Sequence, residues 1–199
     1  MTETESLTTH ERIVRAATVC FRRWGVEKTS MSDIAAEANL RRPQLYRHVE
    51  SKEALIVTTI VHAAEELSRR RLAELPIEGP ATDLIVKSLV MGHDDLLADA
   101  FASHLIGDGA RTFLRLLGGD SGLREAQQLW WVPVITYGQE RGELRRDLDV
   151  DEITDWFLMS QIAMVEHAER YPTRDSVRRH LRTFIVPAVA AHAEPAPRK

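Results

Sequence analysis

Apolar residues recur every three or four positions along most of this chain and almost nowhere in strict alternation, the pattern of amphipathic helices rather than strands. Thr9 to Trp24 carries Ile13, Ala16, Ala17, Cys20, Phe21 and Trp24 as one stripe. Thr8 and Glu11 stand at capping-box spacing before it, and Gly25 closes it. Met31, Ile34, Ala35 and Ala38 predict a second, shorter helix, begun by Ser30 with Asp33 as reciprocal partner. Asn39 tolerates a left-handed backbone, so that helix can stop there and turn, with Leu40 as an apolar anchor. Arg42-Pro43-Gln44 opens a third helix, whose first turn accepts proline because those amides have no helical partner. Leu45 is its inward residue.

Beyond the turn, Ser51 to about Leu75 reads as one long helix. Leu55, Thr59, Ile60, Ala63 and Leu67 share a face, and Arg69 to Arg71 lie near its end. A linker, Pro76 to Pro80, follows. Further helices are predicted at about 81–99, 100–106, 109–117, 122–141, 150–170 and 174–191, with glycines at 107, 109, 118, 119 and 122 as breaks. The tail "AEPAPRK" is expected to be disordered. The fold class this implies is all-α.

Composition and charge refine this only in places. A chain of 199 residues, 44% hydrophobic and 28% charged, has the make-up of a soluble globular protein. Its one cysteine, Cys20, cannot form an intrachain disulfide and suits a reducing compartment. No apolar run approaches the roughly 18 residues a membrane span needs, and the first residues lack a secretory pattern, so a cytoplasmic location is expected. The net charge is −4, yet residues 1–52 hold nine Lys/Arg against seven Asp/Glu, while residues 53–199 hold 17 against 23. An acidic whole therefore coexists with a basic N-terminal end.

The placement of that charge is informative. Around Leu45, the positions Arg41, Arg42, Gln44, Tyr46, Arg47 and His48 are almost all hydrogen-bond donors, and no acid stands between Glu37 and Glu50. Solvated surface helices usually interleave acids with bases. Two short helices around a tight turn, the second presenting donors, make a helix-turn-helix whose second helix can enter the DNA major groove and read base edges.

At these residues the resemblance becomes specific. The stretch "GVEKTSMSDIAAEANLRRPQLYRHVESKEALI", residues 25–56, resembles the DNA-binding domain of the tetracycline-repressor (TetR) family. The Ile34-Ala35 pair, Leu45-Tyr46-Arg47-His48 and Ser51-Lys52-Glu53-Ala54-Leu55 stand where that family's pattern puts them. The rest agrees in length, helicity and a weak "RGELRRDLD" signature. Asn39 stands where the family favours glycine, Arg41 where a serine or threonine cap is usual, Pro43 where small residues are common, and Val49 where phenylalanine is frequent.

The resemblance implies a three-helix DNA-binding domain over residues 1–52 and a larger helical effector-binding and dimerisation domain over 53–199. It implies phosphate contacts from Tyr46 and Lys52, with His48 beside them, and base contacts from Arg42, Gln44, Arg41 and Arg47. Thr29 or Ser30 would add a phosphate contact, with capping as the competing use of Ser30. The partners implied are a palindromic double-stranded operator, a second copy of the chain and a small-molecule effector. No cofactor or metal is called for.

Two later helices are apolar around most of their circumference. One holds Leu129, Trp130, Trp131, Val132, Val134, Ile135 and Tyr137; the other holds Ile153, Trp156, Phe157, Leu158, Met159, Ile162, Ala163, Met164 and Val165. Such helices must be covered on two sides, one of them by a second copy of the chain. Phe157 and Ile162 are the expected dimer contacts, the alternative being an ordinary buried core helix. The family's ligand pocket would be lined by Met91, Phe101, His104, Phe113, Trp130, Trp131, Tyr137 and Trp156, with His93 and Gln161 as further polar handles. Core packing is the competing reading for each.

Enzymatic readings find less support. "GHDD", residues 92–95, and "VEHAE", residues 165–169, lack the repeated Glu-x-x-His spacing of a helical carboxylate-bridged metal hydrolase. Phosphate-loop, dinucleotide, G-x-S-x-G and zinc motifs are missing too. The sequence thus predicts a ligand-responsive repressor, with a constitutive DNA-binding protein as the other reading.

Overall fold

A computed structural model of the chain describes residues 8–102 and 121–191, and these fold as α1 (Thr9–Trp24), α2 (Met31–Glu37), α3 (Arg42–Leu45), α4 (Lys52–Glu74), α5 (Ala81–Ala98), α6 (Ser121–Glu140), α7 (Val150–Glu166), α8 (Arg174–His180) and α9 (Val186–Val189). Among the described residues the only extended pairing is an isolated antiparallel bridge between Leu144 and Ala190. The predicted helices 109–117 and most of 100–106 lie outside the described residues, as does the C-terminal tail.

The described residues form two compact units: one of residues 8–64, 96–102 and 121–123, the other of 65–95 and 124–191. In the first, Thr8 and Glu11 form the capping box of α1, and Ser30 and Asp33 that of α2. Ile13, Ala16, Ala17, Cys20 and Phe21 are buried as the stripe predicts, but Trp24 at its end is 40% exposed under the Arg23 guanidinium. One turn beyond Phe21 the stripe has passed the end of its partner surface. Phe21 instead stacks on Phe101 at 5.2 Å, and Arg22 pairs with Asp99 at 2.6 Å. Cys20 is fully buried and its thiol is pushed up to about 11 by that burial, so it packs as a small apolar residue.

In α4 the buried stripe drifts. Leu55, Ile56, Thr59 and Ile60 are buried in the first half, but Ala63 is exposed, and in the second half the buried positions are Ser68 and Arg71. The burial of an arginine there bears on the second unit's chemistry.

The core of the second unit gathers Leu84, Ile85 and Leu89 of α5, Trp130, Trp131, Val134 and Ile135 of α6, Phe157 of α7 and Leu181 and Ile185 near the C-terminus. Trp131 packs on Phe157 at 4.8 Å. Phe157 and Ile162, expected at a dimer interface, are 0% and 2% exposed within the single chain. Phe157 faces inward, its ring packed between those of Trp131 and Trp156. Leu129, Val132 and Met159, at 44%, 39% and 55% exposure, are the apolar residues left outside. Pro133 also lies on the exposed side, where the Leu129 carbonyl that it leaves without a helical donor can meet water.

The "RGELRRDLD" segment, residues 141–149, is a tightly bonded corner. Arg145 and Ala191 donate their amides to Val189 and Glu143 carbonyls at 2.9 Å, Gln139 donates its side-chain amide to the Arg145 and Leu148 carbonyls, and Arg146 returns to the Gln139 and Glu140 carbonyls. The final helix, predicted as one piece, widens to a π-turn over Leu181–Ile185. Pro187 follows, which cannot donate to the carbonyl one turn back, and the widened turn accommodates it.

Candidate nucleic-acid interface

The recognition segment is built by backbone geometry first. α2 ends with Asn39 at φ 54°, the one non-glycine residue with positive φ among the described residues. Leu40 donates its amide to Ala35 at 2.8 Å and Asn39 to Ala36 at 3.0 Å, the paired bonds of a Schellman turn. Asparagine thus takes the left-handed position that glycine more often fills. Arg12 reaches from α1 to donate to the Ala38 carbonyl at 3.1 Å, which ties off the same helix end.

α3 is a single turn. Its N-cap, Arg41, contributes no capping side chain; Gln44 reaches back instead, and its Oε1 accepts the Arg41 amide at 2.8 Å. Turn-like bonds carry the chain on to Val49, which donates to the Leu45 carbonyl at 3.1 Å. Leu45 is fully buried and Val49 nearly so, and these two pin the turn to the core. Arg41, Arg42, Gln44, Tyr46, Arg47 and His48 are all exposed. The Arg42 guanidinium lies 5.5 Å over the Tyr46 ring, a contact that holds both side chains outward. Donors and an exposed aromatic hydroxyl on a turn anchored from beneath can approach a duplex without rearranging the core.

Lys52 opens α4, and its ammonium donates to the Glu27 carbonyl at 3.3 Å. That carbonyl is a neutral acceptor which a phosphate can replace. Ser30 is exposed but spends its hydroxyl on Asp33, whose carboxyl is held below its usual range by these bonds. Thr29 is placed differently from the expectation. It is 1% exposed, and its hydroxyl lies 2.7 Å from the Gly25 carbonyl and 3.2 Å from that of Cys20, fastening the loop after α1. A threonine turned inward to bind backbone has no hydroxyl to offer a phosphate.

The expected ligand-lining residues are distributed over both units. Phe101 stacks on Phe21 in the first unit. Trp130 and Trp131 are core residues of the second; Trp156 and Tyr137 pack half-buried at its edge, the Tyr137 hydroxyl donating to Gly79 at 2.9 Å. Met91 is half-buried. His104 and Phe113 lie outside the described residues. Asp94 and Asp95 are half-buried and paired with Arg174 and Arg70.

Sequence reasoning missed Arg71. It is 4% exposed, its Nε and Nη2 have no hydrogen-bond partner, and its guanidinium lies 5.9 Å from the Trp131 ring. Burial lowers it to about 10, so it stays protonated at neutral pH. An unpaired buried charge costs on the order of several kcal/mol. Ser88 Oγ, both His93 ring nitrogens and the Trp130 indole nitrogen are likewise buried without partners, and burial lowers His93 toward the neutral form. The signal was present: Arg71 falls four residues after Leu67 and four before Leu75, on the rod's apolar stripe.

Comparisons with known proteins agree with this architecture. Residues 13–58 match the family described as bacterial regulatory proteins, tetR family. Over 88 residues the chain is 29% identical to an uncharacterized HTH-type transcriptional regulator of Mycobacterium tuberculosis, Rv2250c, a match that spans 44% of each chain and so less than half the length of that relative. Among solved structures, GusR of Salmonella enterica is similar with a TM-score of 0.60 and 26% identity, over 90% of this chain and 96% of that one. RolR in complex with resorcinol is similar in fold, with a TM-score of 0.68 at 18% identity, over 96% of this chain and 95% of that one.

Proposed function

We propose that this chain, which carries a TetR-family helix-turn-helix domain at its N-terminal end and shares the all-helical fold of a putative tetR family regulator from Shewanella (TM-score 0.62 at 19% identity, over 94% of this chain), is a homodimeric repressor that leaves a palindromic operator when a small apolar or amphipathic effector binds. The observation that carries the DNA half is the row Arg41, Arg42, Gln44, Tyr46, Arg47 and His48, exposed on a turn that Leu45 anchors from beneath. Residues 1–52 act as the DNA-binding domain and 53–199 as the effector and dimerisation domain. This functional division follows the DNA contacts rather than the packing units. The effector half draws on likeness to proteins such as RolR, whose structure holds resorcinol. No described helix is long and apolar enough to cross a membrane, which is compatible with work on DNA in the cytoplasm.

Tyr46 and Lys52 hold phosphates in this reading. Lys52→Ala should weaken operator and non-operator DNA by similar factors and lower the salt slope by about one unit; Tyr46→Phe should weaken both kinds of DNA alike. Fluorescence anisotropy across a salt series measures this. A loss confined to operator DNA for Lys52→Ala would move that residue into the base-reading class.

The dimer surface is assigned to the exposed faces of α6 and α7, with Leu129, Val132 and Met159 in place of Phe157 and Ile162. Met159→Glu leaves the chain's own core intact, whereas a charge buried unpaired across a dimer costs several kcal/mol, raising the dimer dissociation constant about a hundredfold or more. Sedimentation checks it: an unmodified chain that is monomeric at micromolar concentration would defeat this assignment.

The effector claim is tested by selecting bound fragments from the source genome and titrating the complex with compounds made by neighbouring genes' products. A hundredfold loss of operator affinity corresponds to about 2.7 kcal/mol of coupling, within the usual allosteric range.

A further inference from the structure

Three observations within the second unit converge on one place. A β-carbon at Gly92 would lie 2.3 Å from Arg71 Nη2 and 2.3 Å from Gln161 Nε2, so the glycine is what admits both groups side by side. Both are N–H donors. Gln161 is buried and directs one amide hydrogen to the Leu89 carbonyl at 3.2 Å, while Arg71 Nε and Nη2 have no acceptor. Ser88, buried and also unpartnered, stands one turn before Gly92 on the same face of α5. The Trp131 ring flanks the guanidinium, and the surrounding core is apolar.

Nearby carboxylates do not answer the charge by contact. Asp95 is bonded to Arg70, and Asp94 to Arg174 at 2.7 Å. A buried guanidinium beside a second donor, with an aromatic ring on its flank, matches an oxyanion carried on an apolar body. One guanidinium balances a monoanion, which favours a carboxylate over a phosphate dianion.

We infer that Arg71, with Gln161 and Ser88 beside Gly92, forms an internal site for the carboxylate of a small amphipathic molecule whose apolar part lies against Trp131. The inference rests on the effector reading above and deepens it by naming the ligand's charge. Arg71 anchors the carboxylate through charge-assisted hydrogen bonds, Gln161 and Ser88 orient it, and Gly92 leaves the room they share. Because Arg71 belongs to the rod that begins at Lys52, ligand binding and DNA contact meet on one helix.

Octanoate serves as the probe, with octanamide and octylammonium as neutral and cationic counterparts, each titrated into the full chain by calorimetry and by thermal unfolding. Octanoate should bind at least about tenfold more tightly than either counterpart, since a charged partner roughly doubles the strength of a hydrogen bond. Arg71→Met should erase that preference without lowering the melting temperature of the unliganded chain, because it removes an unpaired buried charge. Gly92→Ala, which displaces the guanidinium, and Gln161→Leu should each reduce the preference. Equal binding of the three probes, no binding of octanoate, or an Arg71→Met chain that unfolds at clearly lower temperature would overturn the site and make Arg71 a structural post. The regulatory reading fails separately: octanoate that binds through Arg71 yet leaves operator affinity unchanged keeps the site and removes its role as effector.

Discussion

Arg42→Ala is expected to lower affinity for the matched operator by about 1–3 kcal/mol, roughly ten- to a hundredfold, and affinity for unrelated DNA far less. The guanidinium is exposed, held outward over Tyr46 and free of protein acceptors, so a base edge gains its full bidentate geometry. Gln44→Ala should behave differently. Its Oε1 already accepts the Arg41 amide, so a bidentate contact to adenine requires that bond to break first. Its specificity loss should therefore be smaller than that of Arg42, accompanied by a small loss of stability from the missing cap, of about 1 kcal/mol. Competition binding against operators altered one base pair at a time reads the first effect, and chemical unfolding the second. Uniform weakening on all DNA by Arg42→Ala would place it among the phosphate contacts.

Gly138→Val should strongly destabilise the second unit. A β-carbon there would stand 2.6 Å from Leu144 Cγ and Cδ1 and 2.7 Å from Ala81 Cβ, and both neighbours are themselves buried. Leu144 cannot retreat, because its amide and that of Glu143 donate to the Gly138 carbonyl at 3.1 and 2.9 Å, and Glu143 in turn accepts the Ala81 amide at 2.6 Å. Overpacking typically costs about 1–3 kcal/mol and more where nothing yields. The upper end of that range lowers the melting temperature of a chain this size by roughly 6–12 °C. Thermal unfolding followed by circular dichroism checks it, and a shift under 2 °C would show that the corner is softer than its bonding implies.

The parts of the fold legible in the sequence are those decided locally. Ser30 with Asp33, Asn39 at the turn and Leu45 beneath the recognition turn each follow from one residue's own chemistry and its neighbours within five positions. What the sequence left open depends on which of two apolar sides meets the chain's own core. Phe157 and Met159 are both apolar and two residues apart, yet one is enclosed and the other 55% exposed; periodicity locates the stripe and not its partner. Thr29 was misplaced because a threonine beside an N-cap can bond to backbone or to a ligand with equal ease, and the loop from Gly25 decided it. Arg71 escaped because a charge near a helix end ordinarily reads as solvated. Its position on the stripe outweighed its type.

The most direct measurement of the central claim is a titration of the full chain against its genome-selected palindrome and against a scrambled duplex of equal length and composition, repeated over a salt series. The account predicts a preference for the palindrome of about a thousandfold or more near physiological salt. Binding should be two chains per duplex, with the preference falling on Arg42→Ala and surviving Lys52→Ala. Equal affinity for both duplexes at every salt concentration would contradict it.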